Sequence, residues 1–326
     1  MSTDTDVDAV ADHCGTVLDT VSGAVITERE TLETVLSGFL ARGHVLLEDV
    51  PGTGKTLTAR SLANALGLEF SRIQFTPDLL PADVTGTYVF NEKTQEFEFR
   101  EGPIFGNVVL ADEINRASPK TQAALLEAMA EGQVTIDGET HALPDPFFVI
   151  ATQNPIEQDG TFPLPEAQVD RFVVKTSLGY PDEDGELEII DRRAARTDRT
   201  PSVTEAVSMA PAELRQAPES VHVEKEVRKY VVRLARATRE DSRVETGVSP
   251  RATQRLFEAA RALAVVRGRD YVTPDHVARI APEVLSHRLV LTPDARVDDV
   301  EKRAVVADLL DDVEVPTVTY TEQPSE

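Results

Sequence analysis

The chain has 326 residues, 41% of them apolar, which is long enough for two domains and excludes wholesale disorder. Its formal charge is −24, from 33 basic against 57 acidic residues, and that balance disfavours nonspecific binding to nucleic acid. A single cysteine, Cys14, excludes an internal disulfide and a cysteine-based metal site, and no run of about 18 apolar residues is present to span a membrane.

The elements follow in chain order. Residues 5–40 read as helical, with apolar positions at Val10, Val17 and Val21, then at Leu32, Val35, Leu36 and Phe39. Residues 44–48 are a short apolar strand, followed at once by a Gly/Pro-rich loop and a helix over 56–66. A second strand covers 69–75. Residues 86–101 read as a hairpin, with Tyr88, Phe90, Phe97 and Phe99 on its arms and Asn91-Glu92-Lys93 at its tip. A buried-type strand at 107–111 and a helix at 120–130 come next. A second hairpin over 133–143 turns at Asp137-Gly138. An apolar strand at 147–152 leads into Asn154. Strands alternating with helices predict an α/β fold, a parallel sheet with helices on both faces.

The pattern changes at Tyr180-Pro181 and stays helical to about Arg288. Ser249-Pro250 and Thr273-Pro274 each read as an N-cap followed by proline at the first helical position. Leu256, Ala260 and Leu263 share one face of the first of those helices, and Val277, Ile280 and Val284 one face of the second. The expected organisation is an acidic N-terminal segment (1–20), an α/β core (21–179), a smaller all-α lid (180–312) and a disordered tail (313–326). A linker is expected at about 198–208. The acidic N-terminus lacks the pattern of a signal peptide, so a cytoplasmic location is expected. Few lysines and many Asp, Glu, Ala and Val, at this charge, point to a halophilic protein. In ~1 M salt the Debye length is ~3 Å, which screens the self-repulsion.

Val50-Pro51-Gly52-Thr53-Gly54-Lys55-Thr56 lies between a strand and a helix, the context a phosphate-binding loop needs. Glycines let consecutive backbone N–H groups curl around phosphates, and the helix N-terminus adds partial positive charge. In such a loop Lys55 reaches the β- and γ-phosphates and Thr56 ligates Mg²⁺. The pattern G-x-x-x-x-G-K-[ST] fails only at its first position, Asp49, a departure attributed here to the tolerance of Asp for left-handed backbone. Val108 to Glu113 is an apolar strand ending in two acids. Asp112 is placed to hold Mg²⁺ directly or through water, and Glu113 to polarise the attacking water as general base. Arg116, Arg171 and Arg251 are, from the residues alone, simply exposed arginines. Cys14 reads as a small apolar helix residue, and His44 and His141 as structural.

Further segments carry a family pattern. They are Asp112-Glu113-Ile114-Asn115-Arg116-Ala117, the run Pro119 to Met129, Ala151-Thr152-Gln153-Asn154-Pro155, Leu164-Pro165-Glu166-Ala167-Gln168-Val169-Asp170-Arg171-Phe172, and Ser249-Pro250-Arg251. In this order and spacing the chain resembles the MoxR family of AAA+ ATPases, most densely between Gly43 and Phe172. The resemblance implies ATP and Mg²⁺ as ligands and ATP hydrolysis as the activity. It implies that Asn154 is the sensor-1 residue, Arg171 an arginine finger reaching a neighbouring subunit's γ-phosphate, and Arg251 sensor 2, acting in cis or in trans. It implies a homo-oligomeric ring, usually a hexamer. It also implies a chaperone-like role on a protein client, often with a partner carrying a von Willebrand factor A domain. The two hairpins resemble the family's helix-2 insert and pre-sensor-1 hairpin, and its base pocket would lie near Gly23-Ala24-Val25. A DNA-acting motor is disfavoured by the acidic balance, with Lys93 the only basic residue near the first hairpin tip. A chelatase motor subunit shares much of the motif set and stays open. A phosphoryl transferase is disfavoured by Arg171, Asn154 and Glu113, which suit water as acceptor. A nucleotide-gated scaffold with little turnover also stays open.

Overall fold

The structure, a computed structural model, describes residues 6–155, 160–195 and 209–318. The expected helical region at the N-terminus is two helices, α1 (Val7–Ala24) and α2 (Arg29–Leu40), separated at residues 25–28. Cys14 is buried in α1, and burial pushes its thiol up to about 12, so it packs as a small apolar residue. Strand β1 (Val45–Glu48) leads through the glycine loop into α3 (Lys55–Ala65), and β2 (Phe70–Gln74) follows. The short α4 (Pro81–Thr85) opens the first hairpin, β3 (Gly86–Asn91) and β4 (Glu96–Glu101), paired from Gly86↔Glu101 to Asn91↔Glu96. Gly86 has φ +93°, and a Cβ there would sit 2.3 Å from the Arg100 carbonyl, so the hairpin base requires glycine.

Strand β5 (Val108–Asp112) precedes α5 (Pro119–Glu131), whose N-cap Ser118 accepts from the Thr121 N–H. The second hairpin, β6 (Gln133–Ile136) and β7 (Glu139–Ala142), turns through Asp137 and Gly138, both at positive φ (50° and 87°). Two consecutive left-handed residues are the signature of a type I′ turn, which explains why Asp-Gly was legible. Then come β8 (Phe148–Gln153), the short α6 (Glu166–Val169) and β9 (Val174–Thr176).

The sheet has five parallel strands in the order β2-β5-β8-β1-β9. Every residue of β5 is buried, and so is β8 up to Thr152, as expected of inner parallel strands covered on both faces. Phe39 of α2 meets Phe148 edge-on, with ring centroids 5.4 Å apart. His44 accepts from the Val149 N–H at Nδ1 (3.0 Å) and lies 3.1 Å from the Met129 carbonyl at Nε2, the structural role expected of it. The register pairs Gln74 with Asp112, Ala111 with Ala151, and Leu47 with Thr152. The carboxyl ends of four strands therefore align at one edge, where α/β sheets bind ligands.

By packing, the described chain divides into two units, residues 12–215 and residues up to 11 together with 216–326. The division falls later than the change of pattern at Tyr180-Pro181. Helices α7 (Glu183–Ala195) and α8 (Pro211–Leu214) belong to the first unit. The reason is local: a Cβ on Gly185 would lie 3.0 Å from Ile26, and Arg192 donates to the Gly23 carbonyl at 2.8 Å. The linker expected at 198–208 and the end of the tail, 319–326, lie outside the described residues.

The second unit contains α9 (Ala217–Ser220), α10 (Lys225–Glu240), β10 (Val244–Thr246), α11 (Pro250–Val266), α12 (Pro274–Leu285), β11 (Val290–Leu291), α13 (Pro293–Val297) and α14 (Lys302–Asp312). Strands β10 and β11 pair antiparallel. The caps behave as expected. Ser249 accepts from the Ala252 N–H at 3.1 Å. Thr273 and His276 form a reciprocal capping box, at 3.3 and 3.1 Å. Leu256, Ala260, Leu263, Val277, Ile280 and Val284 are all buried.

Candidate active site

Gly52 (φ +93°) and Gly54 (φ +91°) hold the left-handed conformations that curl the loop between β1 and α3. Lys55, the first residue of α3, donates through Nζ to the carbonyls of Asp49 (2.8 Å) and Val50 (2.7 Å), while Thr53 Oγ1 donates to Val50 (3.3 Å). Burial pushes Lys55 below the ordinary lysine range, and the nearby carboxylates of Asp49, Asp112 and Glu113 oppose that shift. Thr56 is half-buried one residue into the helix. Val25, from the segment expected to flank a base, is buried with Cγ1 3.5 Å from where a Gly54 Cβ would stand.

Asp49 does not adopt the left-handed backbone expected of it, so tolerance of that geometry does not explain the residue. Its side chain does. Asp49 is 4% exposed, and its carboxylate accepts from Ser177 Oγ (2.6 Å), the Gly179 N–H (3.0 Å) and the Leu178 N–H (2.8 Å).

The two acids at the end of β5 share a network. Asp112 is buried; Oδ1 accepts from Thr152 Oγ1 (2.7 Å) and Oδ2 from Arg72 Nη2 (2.6 Å) and Nε (3.2 Å). The same Thr152 oxygen accepts from the Glu113 N–H at 2.8 Å. Glu113 adopts a left-handed backbone, φ 57° and ψ 48°, uncommon for a side chain of its kind. Its Oε2 accepts from Gln74 Nε2 (2.9 Å) and from Arg116 Nη1 (3.0 Å). Arg72 in turn donates to Gln74 Oε1 at 2.5 Å. Asn154 lies buried just past β8.

Lys55, Asp112 and Glu113 are thus brought together. The two distal arginines are not part of that network. Arg171, beyond α6, donates through Nη1 to the Leu126 carbonyl of its own α5. Arg251 is exposed at the second residue of α11, in the other unit. Arg116 is exposed, as expected, and also pairs with Glu113. Thr152, Arg72 and Gln74 were missed by sequence reasoning. A signal existed for two of them: polar residues at alternate positions of β2 line one face of a strand. Thr152 had none, because only the lateral packing of β5 and β8 makes it a hydrogen-bonding pivot. His141, expected to be structural, stacks on Phe99 with ring centroids 4.0 Å apart, and its Nε2 lies 3.2 Å from Tyr88 Oη.

The second unit carries a basic stripe that the sequence reading did not single out. Helix α10 has six basic residues against two acids. A groove of about 420 Å³ there is lined by Arg228, Val232, Arg236, Arg239, Gln254 and Phe257. It lacks the glycine loop and carboxylates of the site above, and phosphate chemistry is therefore assigned to the sheet edge. Among the described residues no group of three or more His, Cys, Asp or Glu could hold a metal, and no helix is long and apolar enough to cross a membrane.

With this geometry in place, comparison with known proteins is specific. Residues 44–174 match the model of the ATPase family associated with various cellular activities (AAA), and residues 236–309 match an AAA lid domain. The chain is 47% identical over 305 residues to the uncharacterized protein YeaC of Bacillus subtilis, covering 93% of this chain and 94% of that one. It is 43% identical over 312 residues to the chaperone MoxR1 of Mycobacterium tuberculosis, covering 93% and 82%. A solved structure from Cytophaga hutchinsonii superposes with a TM-score of 0.87 at 39% identity, covering 95% of this chain and 96% of that one.

Proposed function

The chain belongs to the MoxR family of AAA+ ATPases, and from that membership we propose that it binds ATP with Mg²⁺ and hydrolyses it to ADP and phosphate. The observation that carries the reading is the convergence of Lys55, Asp112 and Glu113 at one sheet edge, with Thr152 joining the two acids.

The residues fit the ligands. Positive-φ glycines at 52 and 54 open the loop for close approach of phosphate oxygens. Thr56 and Asp112 offer the hard oxygen ligands that Mg²⁺ takes, and Mg²⁺ is ordinarily held by one or two protein oxygens together with substrate phosphates and water. When bound, the ion neutralises charge on the β- and γ-phosphates. Lys55 exchanges the carbonyls of Asp49 and Val50 for phosphate oxygens. Glu113 orients the attacking water and takes its proton at Oε, with Gln74 and Arg116 setting the carboxylate's direction. Asn154 contributes a polar side chain beside the γ-phosphate and the water. Arg171 leaves the Leu126 carbonyl and donates to the γ-phosphate of a neighbouring subunit, where an arginine is worth ~10³–10⁵ in rate. For Arg251 the family resemblance suggests the sensor-2 role, in cis or in trans.

An arginine acting in trans requires assembly, so the working form is a homo-oligomeric ring, with a hexamer the family's usual size. The chaperone designation of the mycobacterial relative supports a chaperone-like action on a protein client. The family resemblance alone suggests a partner carrying a von Willebrand factor A domain. The charge of −24 supports a cytoplasm rich in salt. Highest stability and activity in dilute buffer would oppose that last reading.

The experiment is Mg²⁺-dependent phosphate release from ATP in molar KCl over a protein concentration series, comparing wild type with Glu113→Gln and Arg171→Ala. Turnover per subunit should rise with concentration, and both variants should lose it while still binding ATP. Turnover per subunit that is constant from nanomolar to micromolar would refute action in trans. ATP binding without turnover at any concentration would leave a nucleotide-gated scaffold.

A further inference from the structure

Asp49 poses a physical problem that phosphate binding does not solve. A carboxylate 4% exposed must be compensated, because an ionised group away from water is costly. Lys55 does not supply that compensation by direct contact: its Nζ bonds the main-chain carbonyls of Asp49 and Val50. The partners are Ser177 Oγ and two consecutive backbone N–H groups, those of Leu178 and Gly179, 128 to 130 residues further along the chain. Three donors converge on one acceptor side chain, each at 2.6–3.0 Å, the range of charge-assisted hydrogen bonds. The turn they come from is itself bonded onward, since Thr27 Oγ1 donates to the Leu178 carbonyl at 3.1 Å. Thr27 closes the segment that begins at Gly23 and carries Val25, whose side chain stands beside Gly54. The segment at 23–27, the turn at 177–179 and the phosphate loop are therefore tied into one body, and the Asp49 carboxylate is the knot.

We propose that Asp49 is a positioning residue for nucleotide binding: it latches the entrance of the phosphate loop to the Ser177–Gly179 turn, and so sets the phosphate end of the site against the segment at 23–27. This rests on the nucleotide-hydrolysis reading for its consequence, but the latch itself does not need a ligand. Asp49 touches no reacting atom. Its effect is on how well the loop is pre-organised, which acts on ground-state and transition-state binding alike and so appears in KM rather than in kcat.

The test uses Asp49→Asn and Ser177→Ala in the full chain. Asparagine keeps the shape but turns an N–H₂ toward a hydrogen-bond donor, at Leu178 on one side or at Ser177 and Gly179 on the other. Hydrogen bonds to charged groups are stronger than those between neutral groups, so Asp49→Asn should raise the Kd and KM for Mg·ATP about tenfold, with kcat lowered less than about threefold. Ser177→Ala, a milder change, should raise both about threefold, and the double variant should be no worse than Asp49→Asn alone, because both remove the same latch. In protein without nucleotide, the amides of Leu178 and Gly179 should exchange hydrogen faster in Asp49→Asn. Folded variants whose Kd matches wild type would overturn the positioning role, as would a loss confined to kcat. Unchanged exchange at Leu178 and Gly179 would overturn the latch. If wild type binds no ATP, the nucleotide reading fails, while the exchange measurement still decides the latch.

Discussion

Replacing Thr152 with valine tests the network at the end of β5 at its most exposed point of logic. The side chain is fully buried, and its one hydroxyl serves both acids, donating to Asp112 Oδ1 and accepting from the Glu113 N–H. Valine has the same shape and neither bond. Each buried group left without its partner costs ~1–3 kcal/mol, more where it is charged, so Thr152→Val should destabilise the unit of residues 12–215 by about 2–4 kcal/mol. For a unit of that size each kcal/mol lowers the melting temperature by ~2–4 °C, and the expected fall is roughly 4–16 °C. Function should fall further than affinity. The phosphate loop makes no bond to Thr152, so the Kd for Mg·ATP should stay within about threefold of wild type. Glu113 loses the anchor of its backbone, and kcat should drop about ten- to hundredfold, short of the ~10²–10⁴ that a general base contributes. The control is Thr152→Ser, which keeps the hydroxyl and should keep most of the turnover. The assays are thermal unfolding followed by circular dichroism, ATP binding by fluorescence competition and phosphate release. A valine variant as stable as the serine variant, turning over at the wild-type rate, would refute the reasoning.

Two further outcomes are expected. Gly54→Ala places an L-residue at φ +91°, which costs ~1–2 kcal/mol; the new Cβ would meet only Val25 Cγ1 at an ordinary 3.5 Å, so the penalty is conformational and should appear as weaker Mg·ATP binding in a titration. His276, buried in its capping box, is pushed down from 6.5 to about 4, by desolvation first and then by Arg267 and Arg269, with Asp275 opposing. Its folded pKa lies below the unfolded one, so the unfolded state takes up the proton first and stability is lost as pH falls from 6.5 toward 4, by at most about 3.5 kcal/mol at ~1.4 kcal/mol per pKa unit. His276→Gln keeps the acceptor that the cap needs and cannot titrate, so urea unfolding of wild type minus variant should slope across that window and be flat above it. A difference independent of pH would show that the imidazole does not titrate there.

What could be read from the sequence shares one property: its meaning is local. The glycine loop, the Asp137-Gly138 turn, the Ser249 and Thr273 caps and the apolar run before Asp112 are each decided by residues within a few positions of one another. What was missed is decided laterally. Asp49 looked like a backbone accommodation because its three donors lie in the turn after β9, about 130 residues away. Thr152 looked like one more β-branched strand residue until β8 was laid beside β5. Arg171 reads as a free cation in the sequence, yet its guanidinium finds the Leu126 carbonyl across the chain. The break at 25–28 fell inside a stretch whose apolar positions continue through it, so periodicity alone did not reveal it.

The left-handed turn at Glu113 explains how two consecutive acids can serve one site. Along an extended strand, neighbouring side chains point to opposite faces, and a carboxylate at 113 would be carried away from the one at 112. Here both reach the same face of β2, Asp112 to Arg72 and Glu113 to Gln74, two residues that are themselves hydrogen-bonded. Only the departure from strand geometry at φ 57° allows this, at ~1–2 kcal/mol for an L-residue. Two bonds hold the strained residue: its N–H to Thr152 Oγ1, and its carbonyl accepting from the Arg116 N–H at 2.9 Å. The strain sits where the acid proposed to hold the metal and the acid proposed as base lie side by side, and the same bend that costs stability converts strand alternation into a shared site.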